Sequence, residues 1–269
     1  MLSWVDPGVG RAGGVMWQPD GWDVRLRLGV LTPHADVGPE SELQAMAPEG
    51  VRIHAARVPF GGMAARGAMD PTIPLAPVHA FVEPPHIDEA VALLAAAPVG
   101  AIGVGFTSSS YVTGVDGERG LVDRLQQRTS GIPVVATCAA AVAGFRALGA
   151  GRVALFDPPW FNAELNRLGA QYFGSQQLDV VFHAPCGLPS NQRSINPPEV
   201  YDWVLLHTPD EAEAVFIGGN GFRTVGVIAA LEEDLGRPVL TANQVLLWGM
   251  LRAAKSHTRP DGYGALFGV

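Results

Sequence analysis

GIPVVATCAAAVAGFRALG, from Gly131 to Gly149, and GRPVLTANQVLLWGMLRAA, from Gly236 to Ala254, are two copies of one phrase. Each runs from a glycine and a proline through a short apolar strand to an amphipathic helix. Pro133 pairs with Pro238, an offset of 105 residues (238 − 133). A period that long is not a solenoid repeat. It predicts two similar α/β halves facing one another, with a small-ligand cleft between them.

Outward from the repeat, strand-like apolar runs alternate with helical patterns. Strands are expected at Leu26–Thr32, Val51–Val58, Gly100–Gly105 and Pro133–Thr137, and again at Arg152–Phe156, Leu178–His183, Ala214–Gly218 and Pro238–Ala242. Helices are expected at Ile87–Ala97, Val115–Arg128, Cys138–Leu148, Phe161–Phe173, Pro198–Leu206, Arg223–Leu235 and Gln244–Ala254. Continuous Val, Ile, Leu and Ala strands suit parallel sheets covered on both faces. The expected fold is therefore α/β, as two pseudo-symmetric, doubly wound parallel-sheet halves. Residues 24–137 with 244–269 would form the first half and 138–243 the second. Residues 1–23 read as an extension that could make subunit contacts through Trp4, Trp17 and Trp22.

The bulk numbers narrow the function classes. In 269 residues, 48% are hydrophobic and 16% charged, which fits a well-buried protein rather than a disordered one. A net charge of −8 argues against nucleic acid or an anionic membrane surface as a partner. The N-terminal stretch lacks the apolar core of a signal peptide, and no apolar run is long enough to span a bilayer. Cys138 and Cys186 show no metal-ligand spacing and read as reduced thiols in a cytoplasmic protein. His54, His79, His86, His183, His207 and His257 show no ligand spacing either, so no metal site is expected. The sequence leaves a homo-oligomer open.

Doubly wound sheets bind ligands beyond the carboxyl ends of their strands. Four such ends are rich in chemistry: Pro33-His34-Ala35-Asp36, Phe106-Thr107-Ser108-Ser109-Ser110-Tyr111, Asp157-Pro158-Pro159-Trp160 and Gly219-Asn220-Gly221-Phe222-Arg223-Thr224. Backbone N–H groups at a strand-to-helix turn are unpaired within the helix and lie at the positive end of its dipole, which favours a carboxylate. Equally, the serines could be ordinary helix caps and the glycines ordinary turns.

Several segments together carry a family resemblance. GGNGFRTVGVIAALEEDLGRPVLTANQ, GYGALF at Gly262–Phe267, RALGAGRVALF at Arg146–Phe156 and GFTSSSYVTG at Gly105–Gly114 resemble maleate isomerases and arylmalonate decarboxylases of the aspartate/glutamate racemase superfamily. The resemblance runs from about Leu26 to Phe267. It implies a cofactor-independent lyase or isomerase acting on a small carboxylate through a stabilised enolate. It also implies that Thr107, Ser108, Ser109, Gly219, Asn220 and Gly221 hold the carboxylate, with Phe106 and Trp160 shaping the pocket. Relatives place one cysteine on each side of the cleft, or keep the second alone. Here those positions are Phe106 and Gly219, so sulfur chemistry is absent from both.

The proton-transfer candidates that remain are Asp36, His34 and Cys138. A carboxyl and an imidazole beyond a strand end can act as acid and base. Asp36 and His34 could equally be a turn former and an exposed loop residue. A thiol at a helix N-terminus can have a lowered pKa, or be a small buried packing residue. Cys186 reads as structural. Arg57 could clamp an anion or pair with a surface carboxylate. Two further readings stand beside the enzyme: a non-catalytic carboxylate-binding homologue, and a different reaction, such as hydrolysis or cyclisation, in the same cleft.

Overall fold

Two four-stranded sheets with the same strand order form the framework, and every pairing within them is parallel. The computed structural model describes residues 11–12, 15–16, 20–22 and 24–269. Trp4 and Trp17 lie outside the described residues, whereas Trp22 is described and exposed. A short antiparallel ladder joins β1 (Arg11–Ala12) to β2 (Val15–Met16). The first large sheet holds β3 (Leu26–Pro33), β4 (Val51–Val58), β5 (Ala101–Val104) and β6 (Val134–Ala136), in the order β4-β3-β5-β6. The second holds β7 (Arg152–Asp157), β8 (Asp179–Pro185), β9 (Ala214–Ile217) and β10 (Val239–Thr241), in the order β8-β7-β9-β10. Both are doubly wound, and β5 and β9 are buried at every residue, as parallel strands covered on both faces must be.

Helices α1 (Gly38–Met46), α2 (Leu75–Val82), α3 (His86–Ala95), α4 (Thr107–Gln126) and α5 (Thr137–Leu148) follow the strands of the first sheet. Helices α6 (Ala163–Ser175), α7 (Pro197–His207), α8 (Ile228–Leu235) and α9 (Ala242–Ala253) follow those of the second. The repeated phrase has a backbone reason. Gly131 and Gly236 both adopt left-handed conformations, with φ of 96° and 62°, where the chain turns into β6 and β10.

The repeat's helices then cross over. Helix α9 lays Leu246 and Met250 against Gly103 of β5. Helix α5 sets Gly144 beside Leu240 of β10 and packs Phe145 edge-on to Phe216 and Phe173. A Cβ at Gly103 would sit 2.8 Å from the Met250 sulfur and 2.9 Å from a Leu246 methyl. Gly103→Ala should therefore cost about 1–3 kcal/mol in urea unfolding through overpacking of this crossover.

Three helical features differ from the sequence-based expectation. Helix α1 was not expected because its buried face, Pro39, Glu42, Leu43 and Met46, includes a carboxylate that breaks the apolar period. Helix α2 is only eight residues long, too short for a clear periodicity. Helix α4 starts at Thr107, not Val115. Its first turn is hydroxyl-rich and of low helical propensity, and Gly114, at φ 67°, interrupts it. Tertiary burial of Thr107 to Tyr111 overrides that propensity.

Strand order reverses between β3 and β5 in one sheet and between β7 and β9 in the other. These are the switch points at which doubly wound sheets open a crevice.

Candidate functional site

The four strand ends meet around a small, partly open cavity of about 20 Å³, room for roughly one water. Its polar lining is Asp36, Thr107, Gln192 and Asn220, with Gly219 and Gly221 between them. The rest is apolar: Phe60, Phe106, Trp160 and Phe161 form an aromatic wall, and Met63, Met69 and Ile73 cover it. Among the described residues, no lysine, arginine or histidine lines this cavity. Two loops cover it. One follows β4 and hangs from the second half by Ile73 N–H donating to Trp160 O at 2.9 Å. The other follows β8; its Ser190 hydroxyl donates to Pro71 O, and its Gln192 reaches over to Asp36.

Asp36 is buried. Its Oδ1 accepts the Gly38 N–H at 2.8 Å, and Gln192 and Gly221 crowd its other oxygen. Burial raises its pKa, and hydrogen bonds from Gly38 and Gln192 offset this only in part. His34 is separated from it: the ring is exposed, and its Nδ1 accepts the Phe60 N–H at 3.2 Å, anchoring the covering loop. Arg57 takes the structural alternative, donating to Asp36 O and pairing with Glu40.

Thr107 and Asn220 hold corresponding places, three residues past the ends of β5 and β9, and they bond to each other. The Thr107 N–H and hydroxyl both donate to Asn220 Oδ1, at 2.8 and 2.6 Å. Asn220 Nδ2 donates to Asn243 Oδ1 at 2.9 Å and to Thr137 Oγ1 at 3.2 Å. Asn243 Nδ2 donates to Glu42 Oε2 and to Asn220 O, each at 2.8 Å. Glu42 also accepts the N–H groups of Thr224 and Val225, at 2.6 and 3.1 Å. Burial nevertheless lifts its pKa to about 7. The donors expected to meet a substrate carboxylate at Thr107 are thus already occupied by a side-chain amide of the opposing loop.

Ser108 and Ser109 are buried but do not line the cavity, and the Ser109 hydroxyl turns back to Phe106 O at 2.7 Å. Phe106 packs against Phe81 and Phe60, with centroids 4.2 and 4.9 Å away, filling the place where sulfur was expected to be missing. Trp160 meets Phe222 edge to face at 5.7 Å. The sulfur atoms in the cavity lining are the thioethers of Met63 and Met69.

Cys138 corrects an expectation. The offset of 105 makes it the counterpart of Asn243, and it does an analogous job: its Sγ lies 3.8 Å from Thr107 O, as Asn243 Nδ2 lies against Asn220 O. It is fully buried, and burial with the nearby Glu118 raises its pKa rather than lowering it. The helix N-terminus is outweighed by desolvation. Cys186 is also buried, with its pKa raised. Neither thiol should react with a disulfide reagent in the native protein, and both should react at the rate of unfolding. Rapid native labelling of Cys138 would show the opposite.

Sequence reasoning missed Gln192, Glu42, Asn243 and Asp157. Asn243 was within reach, because the repeat aligns it with Cys138. Asp157 is fully buried at the end of β7, accepting from Tyr111 at 3.1 Å and Asn166 at 2.7 Å, and its pKa rises to about 7. The sequence placed it at one of the four strand ends but gave it no role of its own.

Residues 80–267 match the family model described as arylmalonate decarboxylase. A maleate isomerase of Pseudomonas putida S16, solved with maleate, superposes with a TM-score of 0.77 at 22% identity, over 90% of this chain and 97% of that one. An arylmalonate decarboxylase superposes with a TM-score of 0.74 at 20% identity, over 90% and 99%. A maleate cis-trans isomerase of Nocardia farcinica, bound to TRIS, gives 0.77 at 19% identity, over 90% and 97%. No curated protein matches the sequence significantly.

Proposed function

The chain belongs to the arylmalonate decarboxylase family, and from that membership and the cleft we propose a cofactor-independent lyase or isomerase. It acts on a small carboxylate by decarboxylation or proton transfer through an enolate, with Asp36 in the proton-donor role that sulfur fills in relatives. The observation that carries this reading is the buried Asp36 carboxyl in a cavity shared by both halves, its pKa raised by desolvation. A carboxyl kept protonated above its ordinary range can donate to a carbanion and accept the proton back. Cys138 and His34 take no part. We also read the protein as cytoplasmic.

Two observations favour the non-catalytic alternative: Asn220 already satisfies Thr107, and the cavity has room for only about one water. Substrate entry therefore requires the covering loops to part. Incubation with phenylacetate, phenylmalonate, maleate and aspartate in deuterated water separates the readings. Carbon dioxide release, or deuterium on the α-carbon, supports the enzyme; no exchange with any of the four supports the binding homologue.

A further inference from the structure

We propose that Asn220 sets the specificity of the cleft: its amide stands where one carboxylate of a dicarboxylate would lie. The cleft then accepts a ligand with a single carboxylate on an apolar body and rejects dianions. This inference deepens the small-carboxylate reading and rests on it.

A primary amide has the shape of a carboxylate but opposite demands at its two ends. Here both ends are dictated by neighbours. While ionised, Glu42 accepts from Thr224, Val225 and Asn243, so Asn243 turns its nitrogen to Glu42 and its oxygen to Asn220. Asn220 must then turn its nitrogen to Asn243 and its oxygen to the two donors of Thr107. A carboxylate in the same place would set its second oxygen against Asn243 Oδ1, an acceptor facing an acceptor. Rotating Asn243 to relieve that contact would point its own oxygen at Glu42. The position therefore accepts an amide and disfavours a carboxylate, a discrimination by unpaired groups rather than by size.

The rest of the lining agrees. Among the described residues its one ionisable side chain is Asp36, an acid, and none supplies a counter-cation for a second negative charge. Asn220 is buried and tied to Thr107, Thr137 and Asn243, whereas the thioether and glutamine cover belongs to two loops joined by the Ser190 hydroxyl donating to Pro71 O. Opening on the Met63, Met69 and Gln192 side thus enlarges the cavity while leaving the amide in place.

The test is binding of phenylacetate and phenylmalonate, measured by calorimetry at pH 7, to the wild-type chain, Asn220→Gly and Asn220→Ala. The wild type should bind phenylacetate at least about tenfold more tightly, and both variants should gain about tenfold or more for phenylmalonate. Equal wild-type affinities, a measurement that needs no variant, would overturn the proposal, as would folded variants with no gain. Wild-type turnover of a dicarboxylate would sink this inference and leave the small-carboxylate reading intact. If none of the three proteins binds either acid, that reading fails and this one falls with it.

Discussion

Asp36→Asn should lower turnover about 10²- to 10⁴-fold, the usual span for removing a general acid or base, without unfolding the protein. The amide keeps an oxygen for the Gly38 N–H, which Asp36 Oδ1 accepts at 2.8 Å. It also removes a buried group whose ionisation is disfavoured. The loss should therefore fall on kcat, with thermal stability at neutral pH unchanged or higher. In the wild type, turnover should decline toward alkaline pH through a pKa above the ordinary aspartate range, because Asp36 donates only while protonated. Carboxamide variants of exposed acids give the baseline. A variant with intact turnover and the same pH limb would remove Asp36 from the chemistry.

The second large effect is on stability. Asp157 and Glu42 both titrate near pH 7 in the folded chain, against ordinary values of 3.8 and 4.5. Between those limits the folded state holds protons that the unfolded state has released. Stability should therefore fall as pH rises from about 4 to about 7, by on the order of 3 kcal/mol for each group, and then level off. Asp157→Asn should remove much of that slope and raise stability at pH 8. Its oxygen can accept from Asn166, and its nitrogen can donate to a rotated Tyr111 hydroxyl. Glu42→Gln should not share the gain, because a side-chain amide cannot accept from Thr224, Val225 and Asn243 together. Urea unfolding at pH 5, 6, 7 and 8 reads both effects. A wild-type stability that rises over this interval would contradict the buried-acid account.

Much of the architecture was legible because the signals were local. The β5 and β9 strands are unbroken apolar runs, and the glycines at 131 and 236 mark the same left-handed turn twice. The four strand ends were recognisable as one crevice because doubly wound topology fixes where ligands bind. The interior of that crevice was not. Whether Thr107 faces a ligand or the Asn220 amide depends on a bond between residues 113 apart, which no periodicity reports. Glu42 hid for a related reason: in an unrecognised short helix, a glutamate reads as solvent-facing until its three N–H partners are seen. His34 and Asp36 looked like one catalytic pair. Their side chains go to opposite sides of the turn, one to solvent and one into the cavity.

The central claim is that a carboxyl, and no sulfur, moves the proton in this cleft. It is tested most directly by comparing the thiol-free variant Cys138→Ala/Cys186→Ala with Asp36→Asn, each given phenylacetate, phenylmalonate, maleate and aspartate in deuterated water. The account predicts that the thiol-free protein still places deuterium on the α-carbon of whichever compound the wild type turns over, while Asp36→Asn does not. Loss of deuterium transfer in the thiol-free protein, with transfer intact in Asp36→Asn, would contradict it.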